Sequence, residues 1–266
     1  MKVYISADIE GIAGIAHWDE ASADKPDYGP FRERMTDHVL AACEGAMAGG
    51  ATEIVVKDAH DSGRNILAER LPKCAQLIRG WSEHPLLMVQ ELDSSFAAVA
   101  FVGYHSQAGS GGNPLAHTLS SSSVFRMRLN GRPLAEFHLY AYAAGQLGVP
   151  TALVNGDRAL CGEVKTLSPA TRTVESMVGV GDSTIARHPD IVRDELREGM
   201  QKALTGDLES ALIVPAGPHA LEVEFEKAPA AYRSSHYPGA QLVEPHTVRL
   251  EVEDYFDVLR ALTFMV

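Results

Sequence analysis

Val3-Tyr4-Ile5-Ser6-Ala7-Asp8-Ile9-Glu10-Gly11 opens the chain and decides how the rest of it folds. Its first five residues alternate and are β-branched or aromatic enough to form a strand. That strand runs directly into two carboxylates, so Asp8 and Glu10 stand at its carboxyl end. The arrangement recurs twice: Glu53-Ile54-Val55-Val56-Lys57 reads as a second strand that delivers Asp58-Ala59-His60, and Ala97 to Val102 reads as a third that delivers Gly103-Tyr104-His105. Between the first two, residues from about Phe31 to Ala48 place Met35, Val39, Cys43 and Met47 at four-residue spacing, and Gly49-Gly50 stops the run, which predicts an amphipathic helix. Strands alternating with helices predict an α/β fold with a mostly parallel sheet flanked by helices, and such sheets collect ligands outside their strands' carboxyl ends.

Further along, Gly109-Ser110-Gly111-Gly112-Asn113-Pro114 is a flexible loop, with His117 just beyond it. Val124 to Leu129 alternates before the hairpin signal Asn130-Gly131, Glu136 to Leu147 reads as a helix ending at Gly148, and Thr151 to Val154 reads as a strand leading to Asn155-Gly156-Asp157. In the last hundred residues Pro189 to Leu204 reads as a helix, Leu221 to Phe225 as a strand, and Asp254 to the end as a helix. The expected organisation is a metal-binding catalytic α/β lobe over residues 1–160 and a smaller α+β C-terminal lobe over 161–266, with one continuous domain as the alternative.

Thirty-five acidic against 23 basic residues give a formal charge of −12, a field that repels phosphate backbones and anionic lipids, so no nucleic-acid and no membrane partner is expected. The chain lacks both a signal-like leader and a membrane-length apolar stretch, which predicts a cytoplasmic protein. Cys43, Cys74 and Cys161 are odd in number and have no C-x-x-C spacing, so free thiols are expected rather than disulfides or a zinc knuckle.

Asp8, Glu10, His60, His105 and Glu136 together supply three carboxylates and two imidazoles, the hard oxygen and nitrogen donors of a hydrolytic metal site. Two divalent cations carry four positive charges; three carboxylates cancel three, and one bridging hydroxide would cancel the last. The arithmetic favours a binuclear centre bridged by Asp8. Each residue also has a plainer role open to it: a turn cap for Asp8, a solvated loop for Glu10, backbone partners for the histidines, the helix dipole for Glu136. Other readings of the chain are a binuclear amidohydrolase acting on a non-peptide amide or carbamoyl substrate, a metal-stabilised structural protein, and a nucleotide-binding module. The last is disfavoured because Gly11-Ile12-Ala13-Gly14-Ile15-Ala16 lacks the G-x-G-x-x-G spacing. A solvated face explains Arg126 and Arg128, and packing is the default for Trp18 and Trp81.

Ser6-Ala7-Asp8-Ile9-Glu10-Gly11 resembles the Ser-x-Asp-x-Glu-Gly signature of peptidase family M55, zinc D-aminopeptidases of the type found in dipeptide-transport operons. The resemblance continues through Lys57-Asp58-Ala59-His60, Gly103-Tyr104-His105, the His117 region, Asn130-Gly131-Arg132-Pro133 to Glu136 and, more weakly, Gly156-Asp157-Arg158, Val223-Glu224-Phe225 and Pro238-Gly239. It implies two zinc ions per subunit bridged by Asp8, with Glu10 and His60 completing one site and His105 and Glu136 the other, and it makes His117 the catalytic histidine. It further implies removal of the N-terminal residue from short D-amino-acid peptides such as D-Ala-D-Ala, and a homo-oligomer, a ring-shaped decamer. The glycine-rich stretch from Ser106 to Ala116 departs from the family pattern and is expected to govern substrate preference. Recognition of a peptide's amino end needs an acidic acceptor, for which Asp58 and Asp157 are candidates.

Overall fold

A computed structural model describes residues 1–266. The opening strand β1 (Lys2–Ala7) lies at the middle of a sheet, flanked in parallel by β2 (Glu53–Asp58) and β4 (Ala98–Tyr104). β3 (Ala75–Ile78) extends the sheet beyond β2; β7 (Thr151–Asp157) and β8 (Arg172–Val180) extend it beyond β4, all in parallel. β9 (Ser183–Ala186) closes that edge as the antiparallel arm of a hairpin with β8. The order is β3-β2-β1-β4-β7-β8-β9, the mostly parallel sheet that the sequence predicts.

A second, antiparallel sheet has the order β11-β12-β10-β5-β6, from β5 (Val124–Leu129), β6 (Arg132–Pro133), β10 (His219–Phe225), β11 (Gln241–Glu244) and β12 (Thr247–Val252). The β5–β6 turn is Asn130-Gly131, both residues at positive φ (51° and 77°), as a two-residue hairpin requires. Strands from both sides of residue 160 enter both sheets.

Alternation along β1 shows why this strand belongs at the centre. Val3, Ile5 and Ala7 pack with Met35, Val39 and Cys43 of α2 (Tyr28–Ala48) and with Leu196 and Met200 of α5 (Pro189–Leu204). Tyr4 points the other way, into a core shared with Phe137 and Tyr140 of α3 (Glu136–Gln146), Met127, Leu221 and Val223 of the second sheet, and Val258 and Leu262 of α7 (Tyr255–Met265). Apolar surface on both faces is what buries a parallel sheet. The remaining helices are the short α1 (Trp18–Ala21), α4 (Arg158–Leu167), which the Asp157 carboxylate caps by accepting from Leu160 N, and α6 (Ala228–Ser234). All three cysteines are free thiols. No helix is long and apolar enough to cross a membrane.

Candidate metal centre

β1, β2 and β4 end side by side, so the residues that follow them meet above one edge of the sheet. Asp8 and Glu10 follow β1, His60 follows β2, and His105 follows β4, while Glu136 is the first residue of α3. All five are buried and converge. His60 Nδ1 lies 3.2 Å from Asp8 Oδ1 and 3.1 Å from Glu10 Oε1. His105 Nε2 lies 3.6 Å from Asp8 Oδ2 and 3.2 Å from Glu136 Oε2. One carboxylate thus turns an oxygen toward each half of the cluster. His117, from the loop after His105, joins the second half: its Nε2 is 3.6 Å from Glu136 Oε1, and its ring stacks on His105 with centroids 4.4 Å apart. Two donor groups result, Asp8–Glu10–His60 and His105–His117–Glu136, each with its ligand atoms within 4.8 Å of one another.

The floor of the cluster is main chain against main chain. Gly11 N donates to Gly103 O, and Asp8 N to Val102 O, both at 2.8 Å. A Cβ on Gly11 would stand 1.8 Å from Tyr104 O, and one on Gly103, which sits at φ +75°, would stand 2.1 Å from Asp8 O. Side chains are excluded here, and that lets the ends of β1 and β4 approach closely enough for one carboxylate to serve both halves.

The imidazoles are oriented from behind. His60 Nε2 meets Ala21 O at 2.8 Å, His105 Nδ1 meets Ser106 O at 2.9 Å, and His117 Nδ1 meets Leu115 O at 2.9 Å. A carbonyl accepts only from an N–H, so in each neutral ring the other nitrogen keeps its lone pair and turns it toward the carboxylates, the pattern that fixes histidine ligands in metal sites. Glu10 Oε2, His105 Nε2 and Glu136 Oε2 are buried without a hydrogen-bond partner. Unpaired buried acceptors are costly, and a divalent cation is the partner that would satisfy all three.

Electrostatics agree. Burial, and then the neighbouring charge of Glu10, raises Asp8 well above the usual carboxylate range. Burial alone would lower His60 and His105, but Glu10 and Asp8 raise the first well above the usual histidine range, and Glu136 chiefly pushes the second up to about 10. A site that charges two buried imidazoles attracts positive charge.

The cluster forms the floor of a cavity of about 640 Å³ whose walls include Trp18, Trp81, Leu119, Ser120 and Leu262. Trp18 and Trp81 therefore face the site and are not solely core packing. No residue from Ser106 to Ala116 lines this cavity; the stretch lies behind its floor, which Asn113 supports. Asn113 Nδ2 donates to Glu10 O at 2.8 Å and to Asp157 Oδ2 at 3.3 Å. Asp157 also accepts from Ser106 N (2.7 Å), Ser106 Oγ (2.6 Å) and Leu160 N (2.9 Å). Asp58 is equally occupied, accepting from Asn65 N, Asn65 Nδ2 and Ile66 N. Both aspartates are fully buried and absent from the cavity wall, which removes them as acceptors for a substrate amine. Sequence reasoning missed Asn113 and Ser106, whose partners lie up to 103 residues away.

A sequence model of a family described as D-aminopeptidase matches residues 1–264. A D-aminopeptidase of Bacillus subtilis (strain 168) is 30% identical over 270 residues, covering 100% of this chain and 96% of that protein. The solved structure of the Zn-dependent D-aminopeptidase DppA from Bacillus subtilis, described as a self-compartmentalizing protease, superimposes with a TM-score of 0.93 at 28% identity, covering 100% of this chain and 96% of that one.

Proposed function

This chain belongs to peptidase family M55, the D-aminopeptidases, and from that premise we propose that it is a binuclear zinc aminopeptidase releasing the N-terminal residue of short D-amino-acid peptides such as D-Ala-D-Ala. The observation that carries the binuclear reading is Asp8, one oxygen beside His60 and the other beside His105. Asp8, Glu10 and His60 would hold one cation; Asp8, His105 and Glu136 the other. When bound, the pair supplies Lewis acidity that polarises the scissile carbonyl and lowers the pKa of water from about 15.7 toward neutrality.

The chain's own residues do the rest. His117 keeps Nδ1 on the Leu115 carbonyl and presents Nε2 to the cavity, where it would take the proton that the attacking water gives up and deliver it to the leaving amine as the amide C–N bond breaks. Water, rather than the imidazole, is the attacking group, because an acyl-imidazole would still need water to release it. Trp18 packs edge-on against His117, with centroids 5.3 Å apart, and restricts its ring. No lysine or arginine lines the cavity, so a phosphate ester would find no charge clamp there. The self-compartmentalizing relative supports a homo-oligomer, which the family resemblance makes a decamer.

The test is a panel of D-alanyl peptides, L-alanyl peptides and a non-peptide amide, run on zinc-loaded and chelated protein alongside metal analysis. Two zinc ions per chain and preferential release of D-alanine, abolished by chelation, are expected. Cleavage of the non-peptide amide alone would replace this reading.

A further inference from the structure

With Asp58 and Asp157 occupied elsewhere, the cavity itself offers a different acceptor. We propose that Asp61 is the specificity-determining residue that receives the α-ammonium group of the substrate, reinforced by Glu83. The inference rests on the aminopeptidase reading above.

Outside the metal cluster, Asp61 and Glu83 are the residues with charged side chains on the cavity wall; both are exposed at its mouth, and neither carboxylate is engaged by another side chain. They share the cavity with the unpartnered, buried oxygens of Glu10 and Glu136, so the space between them is built for positively charged groups. Ordinary bond lengths put the α-nitrogen of a peptide about 2.5 Å from the carbonyl carbon of the same residue, so whatever binds the ammonium must adjoin the residues that bind the carbonyl. Asp61 directly follows His60 in the chain and lines the same cavity.

Its position is also enforced. Asp61 sits at φ +42°, and Trp81 Nε1 donates to its carbonyl at 2.7 Å. Gly63 N donates to His60 O and Gly80 N to Gly63 O, both at 2.8 Å, which ties the loop after β2 to the segment carrying Trp81. That segment is fastened in turn by buried Lys57, whose Nζ donates to Gly80 O at 2.5 Å and lies 3.9 Å from the centre of the Trp81 ring. The main chain that carries Asp61 is thereby fixed, while its carboxylate is left free to meet a cation in the cavity. With no wall cation to receive the substrate's carboxylate, the cavity admits a short peptide amino end first. Substrates would be peptides and amides with a free α-amine, and N-acylated ones would be rejected.

Asp61→Asn, alone and combined with Glu83→Gln, tests this against wild type on D-alanine p-nitroanilide and its N-acetyl derivative. Loss of one charge-assisted contact should raise KM for the free amine about 10–100-fold, with kcat changed far less, zinc content retained, and the preference over the N-acetyl form reduced in step. An unchanged KM would overturn the proposal, as would a KM increase accompanied by zinc loss, which would make Asp61 merely a support for His60. Calorimetric titration with D-alaninamide reads the same contact without turnover: binding should weaken at least about tenfold in Asp61→Asn. Absence of D-alanine release by wild type would sink the aminopeptidase reading, whereas equal D-alaninamide binding by wild type and Asp61→Asn would sink this one.

Discussion

Replacing Asp157 tests whether the loop between His105 and His117 is held in place from behind. The carboxylate is fully buried and receives four hydrogen bonds, two from backbone N–H groups (Ser106 and Leu160) and two from the side chains of Ser106 and Asn113. In Asp157→Ala the Ser106 hydroxyl can rotate, and Asn113 keeps its bond to Glu10 O, but the two backbone donors lose their acceptor. At about 1.5–3 kcal/mol for each bond to a charged group, the loss is about 3–6 kcal/mol, a large part of the roughly 5–15 kcal/mol that holds a domain folded. Asp157→Asn keeps one acceptor oxygen and turns an amide toward donors, so it should fall between alanine and wild type. Urea unfolding followed by tryptophan fluorescence reads both, since Trp18 and Trp81 line the cavity. A second effect is specific to the site: Ser106 O orients His105 and Asn113 holds Glu10 O, so both variants should retain metal more weakly at urea concentrations where they remain folded. An alanine variant within about 1 kcal/mol of wild type, or one folded with undiminished metal affinity, would refute the reasoning.

Asp8→Ala should lose both metals and activity together, and full occupancy by metal analysis would end its bridging role. In His117→Ala turnover should fall about 10²–10⁴-fold with metal content intact, whereas stoichiometric metal loss would make the histidine a ligand rather than a proton carrier. Burial lowers His38 to about 3 and His138 to about 4, against 6.5 in the unfolded chain. The unfolded state therefore takes up protons below pH 6.5 that the native state refuses, and stability falls as pH drops from about 6.5 toward 4, by up to about 1.4 kcal/mol per unit for each histidine. Comparing urea midpoints at pH 7.5 and 5.5 in wild type and His138→Gln checks this: the slope should be shallower in the variant, and equal slopes would exclude His138.

The sheet was legible because its strands announce themselves at both ends. β1, β2 and β4 each carry a β-branched or apolar run and stop at residues of unmistakable chemistry, so Asp8, Glu10, His60 and His105 are placed at strand ends by the sequence alone. α5 was read to the residue, since Pro189 stands at its first turn and its buried positions, Val192, Leu196 and Met200, recur at four-residue spacing. α4 was missed because Gly162 interrupts it, and β11 because all four of its residues are exposed and carry no alternation. The twelve-strand arrangement also exceeds what a cut near residue 160 conveys, since β8 and β9 complete the first sheet and β5 and β6 the second. Around the candidate metal centre, strand and helix ends mark the expected donors. Their supports did not show, because contacts such as Asn113 to Glu10 and Trp81 to Asp61 depend on tertiary proximity alone.

Where Gly11 and Gly103 let two backbone segments touch, nothing can be added or exchanged, whereas the walls above them include side chains from residue 61 and from residues 81–87, 119–122 and 262–266. Variation is therefore channelled upward. Drift or deliberate engineering can rewrite which molecules enter without redrawing the reaction centre, and a library aimed at new selectivity belongs at those wall positions.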